Sequence, residues 1–311
     1  MTIDLCVWDI CNNRCRMCTN PDRPWPSWDG SLLYDFSSII NRLEKSKEKI
    51  KAAESIYLTG GEPTLHPHFL EIFKYLKENF PSQRIKLLSN GRRFFYKDFT
   101  QEFLEITDNL EVDISLHGPN DIIHDGVTGS KDSFKQTLAG LKNLLYNKKQ
   151  KQIIGVRTVI TRQNYKYLDQ TLKLLATEAP SLNRVIIIFH ELEAQAIKNL
   201  SEVGITYQEL RPFIEKVRSF LNDFQELRFY HFPLCSLPLD FWPYVWNTLP
   251  KKEVSFLPEC RLCFYRKFCL GIHKGYLKNI GRQGFIPLDK GEIRLDFNPD
   301  LYHPIKKVYY K

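Results

Sequence analysis

The sequence predicts an α/β fold: a parallel sheet wrapped by helices over residues 1–225, then a smaller loop-rich domain over 226–311. Three observations carry this. Short runs rich in β-branched residues alternate six times with segments of helical period, the pattern of β/α units joined by right-handed crossovers. After about residue 226 proline and aromatic residues crowd into FYHFPLCSLPLDFWPYVWNTLP, and four of the eight cysteines fall there. The short polar motifs of the first part stand at the carboxyl ends of the expected strands, where a barrel of parallel strands builds its active site.

The elements follow in order. IDLCVW is the first strand, with Cys6 reading as a small buried hydrophobe, and it opens into CNNRCRMC, Cys11 to Cys18. SLLYDFSSIINRLEKSKEKIK is the first helix. SIYLT runs into GGEP, Gly60 to Pro63, and PHFLEIFKYLKENF returns. RIKLLS ends in SNG, Ser89 to Gly91, before the helix KDFTQEFLEI. LEVDISL ends in SLHG, Ser115 to Gly118, and in KDSFKQTLAGLKNLLYN the apolar Phe134, Leu138, Leu141 and Leu145 share a helix face. IIGVRTVIT carries Arg157 inside an apolar strand and is followed by KYLDQTLKLLATEA. RVIIIFH and the helix YQELRPFIEKVRSFLNDF complete six units.

Of the 311 residues 43% are hydrophobic and 26% charged, which is enough for a real core. No apolar run approaches the ~18 residues of a membrane span. The start, MTIDLCVWDI, lacks the basic and apolar regions of a signal peptide, so a cytoplasmic location with reduced or metal-bound cysteines is expected. Lys and Arg exceed Asp and Glu by 44 to 36, a net +8. Much of that excess lies in RLEKSKEKIK and YNKKQKQ, which read as solvated helix faces. No basic stripe is interleaved with aromatics, so nucleic acid is not an expected partner.

Three cysteines within eight residues leave a zinc tetrahedron one ligand short, whereas they suit a 4Fe–4S cluster with one iron open. Gly60 and Gly61 allow close backbone approach to a ligand. Glu62 suits a cationic amine, and Ser89, Asn90 and Ser115 offer hydrogen bonds to hydroxyls. A guanidinium inside a strand, Arg157, wants a carboxylate. Amine, carboxylate, sugar hydroxyls and an open iron together describe S-adenosylmethionine.

CNNRCRMC, a CxxxCxxC motif, and GGEP, in this order and context, resemble the radical S-adenosylmethionine superfamily over roughly residues 1–225. The resemblance implies a partial (β/α)6 TIM-like barrel. It implies that Cys11, Cys15 and Cys18 hold the cluster, with the methionine part of S-adenosylmethionine on the fourth iron. It places Gly60, Gly61, Glu62 and Pro63 at the methionine amine, Ser89, Asn90 and Ser115 near ribose or carboxylate, and Arg157 at the carboxylate. The family usually has an aromatic residue before the third cysteine, against adenine; here Met17 stands there and packs on a ring instead. The implied reaction uses an external electron donor such as flavodoxin or ferredoxin. It gives a 5′-deoxyadenosyl radical that removes hydrogen from a substrate.

Cys235, Cys260, Cys263 and Cys269 form the second set, and the residues alone leave structural zinc and iron–sulfur open. The spacing in CRLCFYRKFC resembles part of the SPASM and twitch modules, which implies a small C-terminal Fe–S domain with one auxiliary 4Fe–4S cluster, zinc being the alternative. His273, four residues after Cys269, reads as a surface or structural histidine, with replacement of a cysteine ligand as the alternative. HDGVTGSKDSFKQTLAGLKNL, SNGRRF, FPLCSLPLDFWP and LPECRLCFYRKFCLGI resemble the maturases of His-Xaa-Ser repeat peptides. The likeness implies radical modification of a side chain in a ribosomally made peptide, with the bond formed left open. The chain opens at its first strand, so recognition is expected to rest on the barrel, the C-terminal domain or a separate leader-peptide-binding protein. The alternatives are a small metabolite or RNA base as substrate, and a non-catalytic metal-bearing module, against which GGEP argues. His117, His124 and Asp125 divide between substrate contact and loop structure. Arg14 and Arg16 read as solvated or carbonyl-bound, Trp25 and Trp28 as cluster cover or rim packing, and KKVYYK as a frayed tail.

Overall fold

The computed structural model describes residues 2–20 and 34–289, together with the backbone of two further strands, Ile293–Phe297 and Ile305–Tyr310. Its centre is one parallel sheet of eight strands in sequential order: β1 (Thr2–Trp8), β2 (Ser55–Gly60), β3 (Arg84–Ser89), β4 (Leu110–Ser115), β5 (Ile153–Ile160), β6 (Arg184–Phe189), β7 (Leu227–Tyr230) and β8 (Val245–Trp246). β1 and β8 stand at its two ends, so the sheet curves as a partial barrel.

The six expected strands are present, and two more extend the sheet. The boundary expected at 225/226 therefore does not separate two sheets. The core is also continuous across it: Phe229, Phe232, Trp242, Tyr265 and Tyr276 belong to the same buried cluster as Phe73 and Leu87. The proline- and aromatic-rich texture is that of irregular chain packed onto the barrel. β7 and β8 escaped a pattern reading because four and two residues are too few to show a period.

The helices bury one stripe each. Phe69–Asn79 turns Phe69, Ile72, Phe73 and Leu76 inward, and its Phe73 ring lies 4.8 Å from that of Phe103 on the next helix, Lys97–Glu105. The expected first helix is two: Asp35 caps Phe36–Lys45 by accepting from Ser38 N, and after Ser46 a separate turn spans Lys47–Lys51. The expected frayed tail is instead a strand, Ile305–Tyr310, antiparallel to Ile293–Phe297. Trp25 and Trp28 lie outside the described residues. Among those described, no helix is long and apolar enough to cross a membrane.

One buried charge group ties the interior together. Arg184 on β6, 3% exposed, donates to Asp113 at 2.9 Å and to Glu111, both on β4. Registry puts Gly155 of β5 between Asp113 and Arg184, and a methyl at 155 would overlap the Asp113 carboxylate. The ion pair spans β5 because that strand has no side chain there.

Candidate active site

The carboxyl ends of the strands enclose a cavity of about 590 Å³. Its walls include every residue expected at the first cluster and cofactor except Pro63, which is buried and opens the turn Pro63–Leu65.

The three-cysteine loop hangs from backbone bonds. Arg14 N donates to Thr128 O at 2.8 Å and Arg16 N to Val127 O at 3.0 Å. The Arg92 guanidinium donates to Asn12 O at 2.5 Å and Asn13 Oδ1 at 2.8 Å. From β2, Gly61 N donates to Trp8 O and Glu62 N to Ile10 O, each at 2.7 Å. This closeness explains the paired glycines. Gly60 sits at φ +148°, and methyls at 60 and 61 would overlap the carbonyl oxygens of Trp8 and Ile10. The close approach is thus to the cysteine loop's own backbone. Gly61→Ala is expected to cost roughly 1–3 kcal/mol through overpacking, seen as a lower melting midpoint by circular dichroism. An unchanged midpoint would show that the loop yields freely.

Burial pushes the Cys11 thiol up to about 12, while the Asn13 N–H at 3.4 Å from its sulfur pulls the other way. Cys15 is raised well above the ordinary thiol value by burial and by Cys11 and Cys18. Metal binding here would displace protons. Among the described residues no three His, Cys, Asp or Glu side chains stand close enough to share one ion.

Glu62 is a fastener. Its carboxylate, 1% exposed, accepts from Thr64 Oγ1 at 2.6 Å, Thr64 N at 3.2 Å, Ser89 Oγ at 2.8 Å and Asn90 N at 2.6 Å. Asn90 in turn donates to Asn12 Oδ1 at 2.7 Å and lies 3.9 Å from Cys11 Sγ. Ser89 and Asn90 therefore brace the cysteine loop. Ser115 differs: its hydroxyl lines the cavity and makes no hydrogen bond to the described residues.

Arg157, expected at the carboxylate of the cofactor, is held within the protein by a phenol: Nη1 donates to Tyr57 OH at 2.6 Å, with the Tyr230 ring 5.9 Å away. Among the described residues no carboxylate pairs with it; the carboxylate-paired buried arginine is Arg184. Met17, 8% exposed, packs with Val127, Leu192 and Ala196 at the cavity edge.

Of His117 and His124, His117 reaches the cavity. Its Nδ1 accepts from Val159 N at 3.2 Å, and burial lowers it to about 3, so it is neutral. His124 is fully buried and accepts from His117 N at 3.0 Å, while Asp125 accepts from Ser133 Oγ and Phe134 N at 2.7 Å each. Both are structural. Arg16 pairs with Glu202 at 3.5 Å on the surface, and the Cys6 thiol, half-buried, lies 3.7 Å from Tyr34 OH.

The cavity lining also includes Glu191 and His231, neither of them among the residues expected there from the sequence. Glu191 follows RVIIIFH directly, so its strand-end position was readable. His231 follows β7 directly, and that strand is too short to show a period.

Cys235, Cys260, Cys263 and Cys269 also come together, around a space of about 30 Å³ walled by Phe256, Tyr265, Ile272 and Leu288. Gly271 N donates to Cys269 Sγ and Leu288 N to Cys263 Sγ, each at 3.5 Å. Burial, with repulsion from the neighbouring thiols, raises Cys235 to about 12. His273 is 4% exposed with Nε2 at 3.4 Å from Glu193, a structural pairing. No disulfide links any of the eight cysteines.

The sequence profile described as the Radical SAM superfamily matches residues 5–175, more than half of the chain. Over 174 residues the chain is 29% identical to the tungsten-containing aldehyde ferredoxin oxidoreductase cofactor-modifying protein of Pyrococcus furiosus, covering 53% of this chain and 45% of that one. Over 168 residues it is 30% identical to the GTP 3′,8-cyclase of Cronobacter sakazakii, covering 53% and 48%. The chain thus spans about half the length of the curated relatives it matches. Among solved structures, Streptococcus suis SuiB bound to precursor peptide SuiA has a similar fold, with a TM-score of 0.52 at 14% identity, covering 71% of this chain and 46% of that one.

Proposed function

Because the chain belongs to the radical SAM superfamily, we propose that it cleaves S-adenosylmethionine at a 4Fe–4S cluster and uses the product to modify a side chain of a ribosomally made peptide. The observation that carries this is one cavity lined by three thiols on a single loop, by an arginine and by a serine hydroxyl, the last two having among the described residues no carboxylate and no hydrogen-bond partner respectively. The donor set fits. Cys11, Cys15 and Cys18 would hold the cluster, Arg157 the methionine carboxylate, and the Gly60–Pro63 segment the amine. When bound, the cluster and S-adenosylmethionine supply a 5′-deoxyadenosyl radical that removes a hydrogen atom from the substrate.

The chain's own residues supply placement. Tyr57 fixes the Arg157 fork, leaving its other N–H groups for a ligand. Glu62, through Ser89 and Asn90, locks the ends of β2 and β3 against the cysteine loop. Met17 gives that loop an apolar face.

Three further observations support a peptide substrate: the four C-terminal thiols gathered round one space, suited to an auxiliary 4Fe–4S cluster whose irons each take one thiolate; the resemblance to peptide maturases; and a similar fold solved with a precursor peptide. An external donor such as flavodoxin or ferredoxin and a separate leader-peptide-binding protein complete the reading. The relative named GTP 3′,8-cyclase favours a small molecule as the second reading.

The test is anaerobic incubation of the reconstituted full chain with dithionite and S-adenosylmethionine. Slow 5′-deoxyadenosine release, accelerated by a short peptide encoded beside the gene and accompanied by a mass change in that peptide, is expected. Acceleration by a nucleotide alone would favour the second reading, and no release would overturn both.

A further inference from the structure

The β6–β7 side of the cavity carries polar groups that the cofactor reading does not use. Glu191 stands just past β6 and His231 just past β7, with Glu191 Oε1 3.3 Å from His231 Nδ1. His231 Nδ1 also contacts Phe189 O at 3.1 Å. A carbonyl can only accept, so Nδ1 carries the proton and Nε2 is left as a lone-pair acceptor. His231 is held at φ +67°, a left-handed backbone that a non-glycine residue adopts at a cost. Glu191 makes no ion pair with a lysine or arginine among the described residues; Arg157 is near enough to act on its charge but donates to Tyr57. The helix that follows, Ala194–Lys198, ties this wall to the cysteine loop through Gln195 N to Cys18 O at 3.1 Å. The wall thus presents two acceptors, one of them a carboxylate, and the group that satisfies both is a proton-bearing cation.

We propose that Glu191 and His231 form the substrate-side subsite of this cavity and take an organic cation, an ammonium or guanidinium group of the molecule to be modified. This rests on the reading that the cysteine side of the cavity takes the cofactor. Burial pushes the Glu191 carboxyl up to about 7; Glu193 and Glu253 push the same way, and Arg157 pulls it down. His231 stays neutral, lowered to about 3 by burial, and burial also lowers His273. Only the carboxylate attracts a cation, so affinity rises as pH goes from 6 to 8.

The experiment is a saturation-transfer NMR titration of the reconstituted full chain, saturated with S-adenosylmethionine. The probes are n-butylamine and n-butylguanidine, with n-butanol as the neutral control. The expected result is binding of at least one cation but not the alcohol, strengthening from pH 6 to 8. Glu191→Gln should weaken it roughly tenfold or more, the scale of a hydrogen bond to a charged group, and flatten the pH profile. Which cation binds distinguishes a lysine-like from an arginine-like substrate group. The wild-type pH profile needs no variant, so a poorly folding Glu191→Gln leaves the test intact. Equal binding of alcohol and amine, a flat wild-type profile, or competition between amine and S-adenosylmethionine would each overturn the subsite. If cation binding depends on Glu191 while no 5′-deoxyadenosine forms, the radical reading falls and the subsite stands. If 5′-deoxyadenosine forms but no cation binds, the subsite falls alone.

Discussion

Changing Cys11, Cys15 and Cys18 together to Ala should abolish 5′-deoxyadenosine release, by at least about a thousandfold, because no thiolate remains to hold the reactive cluster. The fold should survive. The loop hangs from Arg14 N, Arg16 N and the Arg92 guanidinium, none of which needs a sulfur. The same variant reports on the second cysteine set. If it keeps about four irons, Cys235, Cys260, Cys263 and Cys269 hold a cluster. If it keeps zinc or nothing, they are structural and the peptide reading loses a main support. Iron, sulfide and zinc analysis reads this directly. A reduced wild-type EPR spectrum that ignores S-adenosylmethionine would sink the cofactor assignment.

Arg184→Ala should be the most damaging single change to stability. It leaves Asp113 buried without its guanidinium and Glu111 with only Lys86, at 3.8 Å, as counter-charge. Breaking a buried pair in this way costs about 3–5 kcal/mol, against about 5–15 kcal/mol for a whole fold. The protein should lose most of its denaturation midpoint or become insoluble. Replacing all three with apolar residues, Arg184→Met with Glu111→Leu and Asp113→Leu, should recover much of the loss, since an apolar trio of similar volume carries no desolvation penalty. A cost below about 1 kcal/mol for Arg184→Ala would mean the pair is solvated like a surface bridge.

Much of the barrel could be read from the chain because each strand-end motif followed a run long enough to show its period. IKLL before SNG and EVDI before SLHG are examples. What escaped was short or distant. LRFY and VW are too brief to signal strands, so the sheet seemed to stop at six, and His231 went unnoticed. Tyr57 holds Arg157 from 100 residues away, and no local pattern announces that bracing phenol. The glycines of GGEP were recognised as a close-approach device. Their target, the carbonyls of Trp8 and Ile10, appears only once β1 and β2 pair. Buried Arg184 opens RVIIIFH, and nothing local to that strand announces its carboxylate partners on β4.

The gap at Gly155 also decides where this barrel cannot be divided. A polypeptide ending between β5 and β6 would keep five strands and most of the motif residues, yet leave two carboxylates in its interior with their arginine cut away. Nor could a designer brace such a fragment from within: the space over position 155 is shaped for a guanidinium arriving from the next strand, and any new side chain there collides with Asp113. The two halves are therefore interlocked by an omission in the strand between them, and β6 has to be present for the first five strands to be a stable unit.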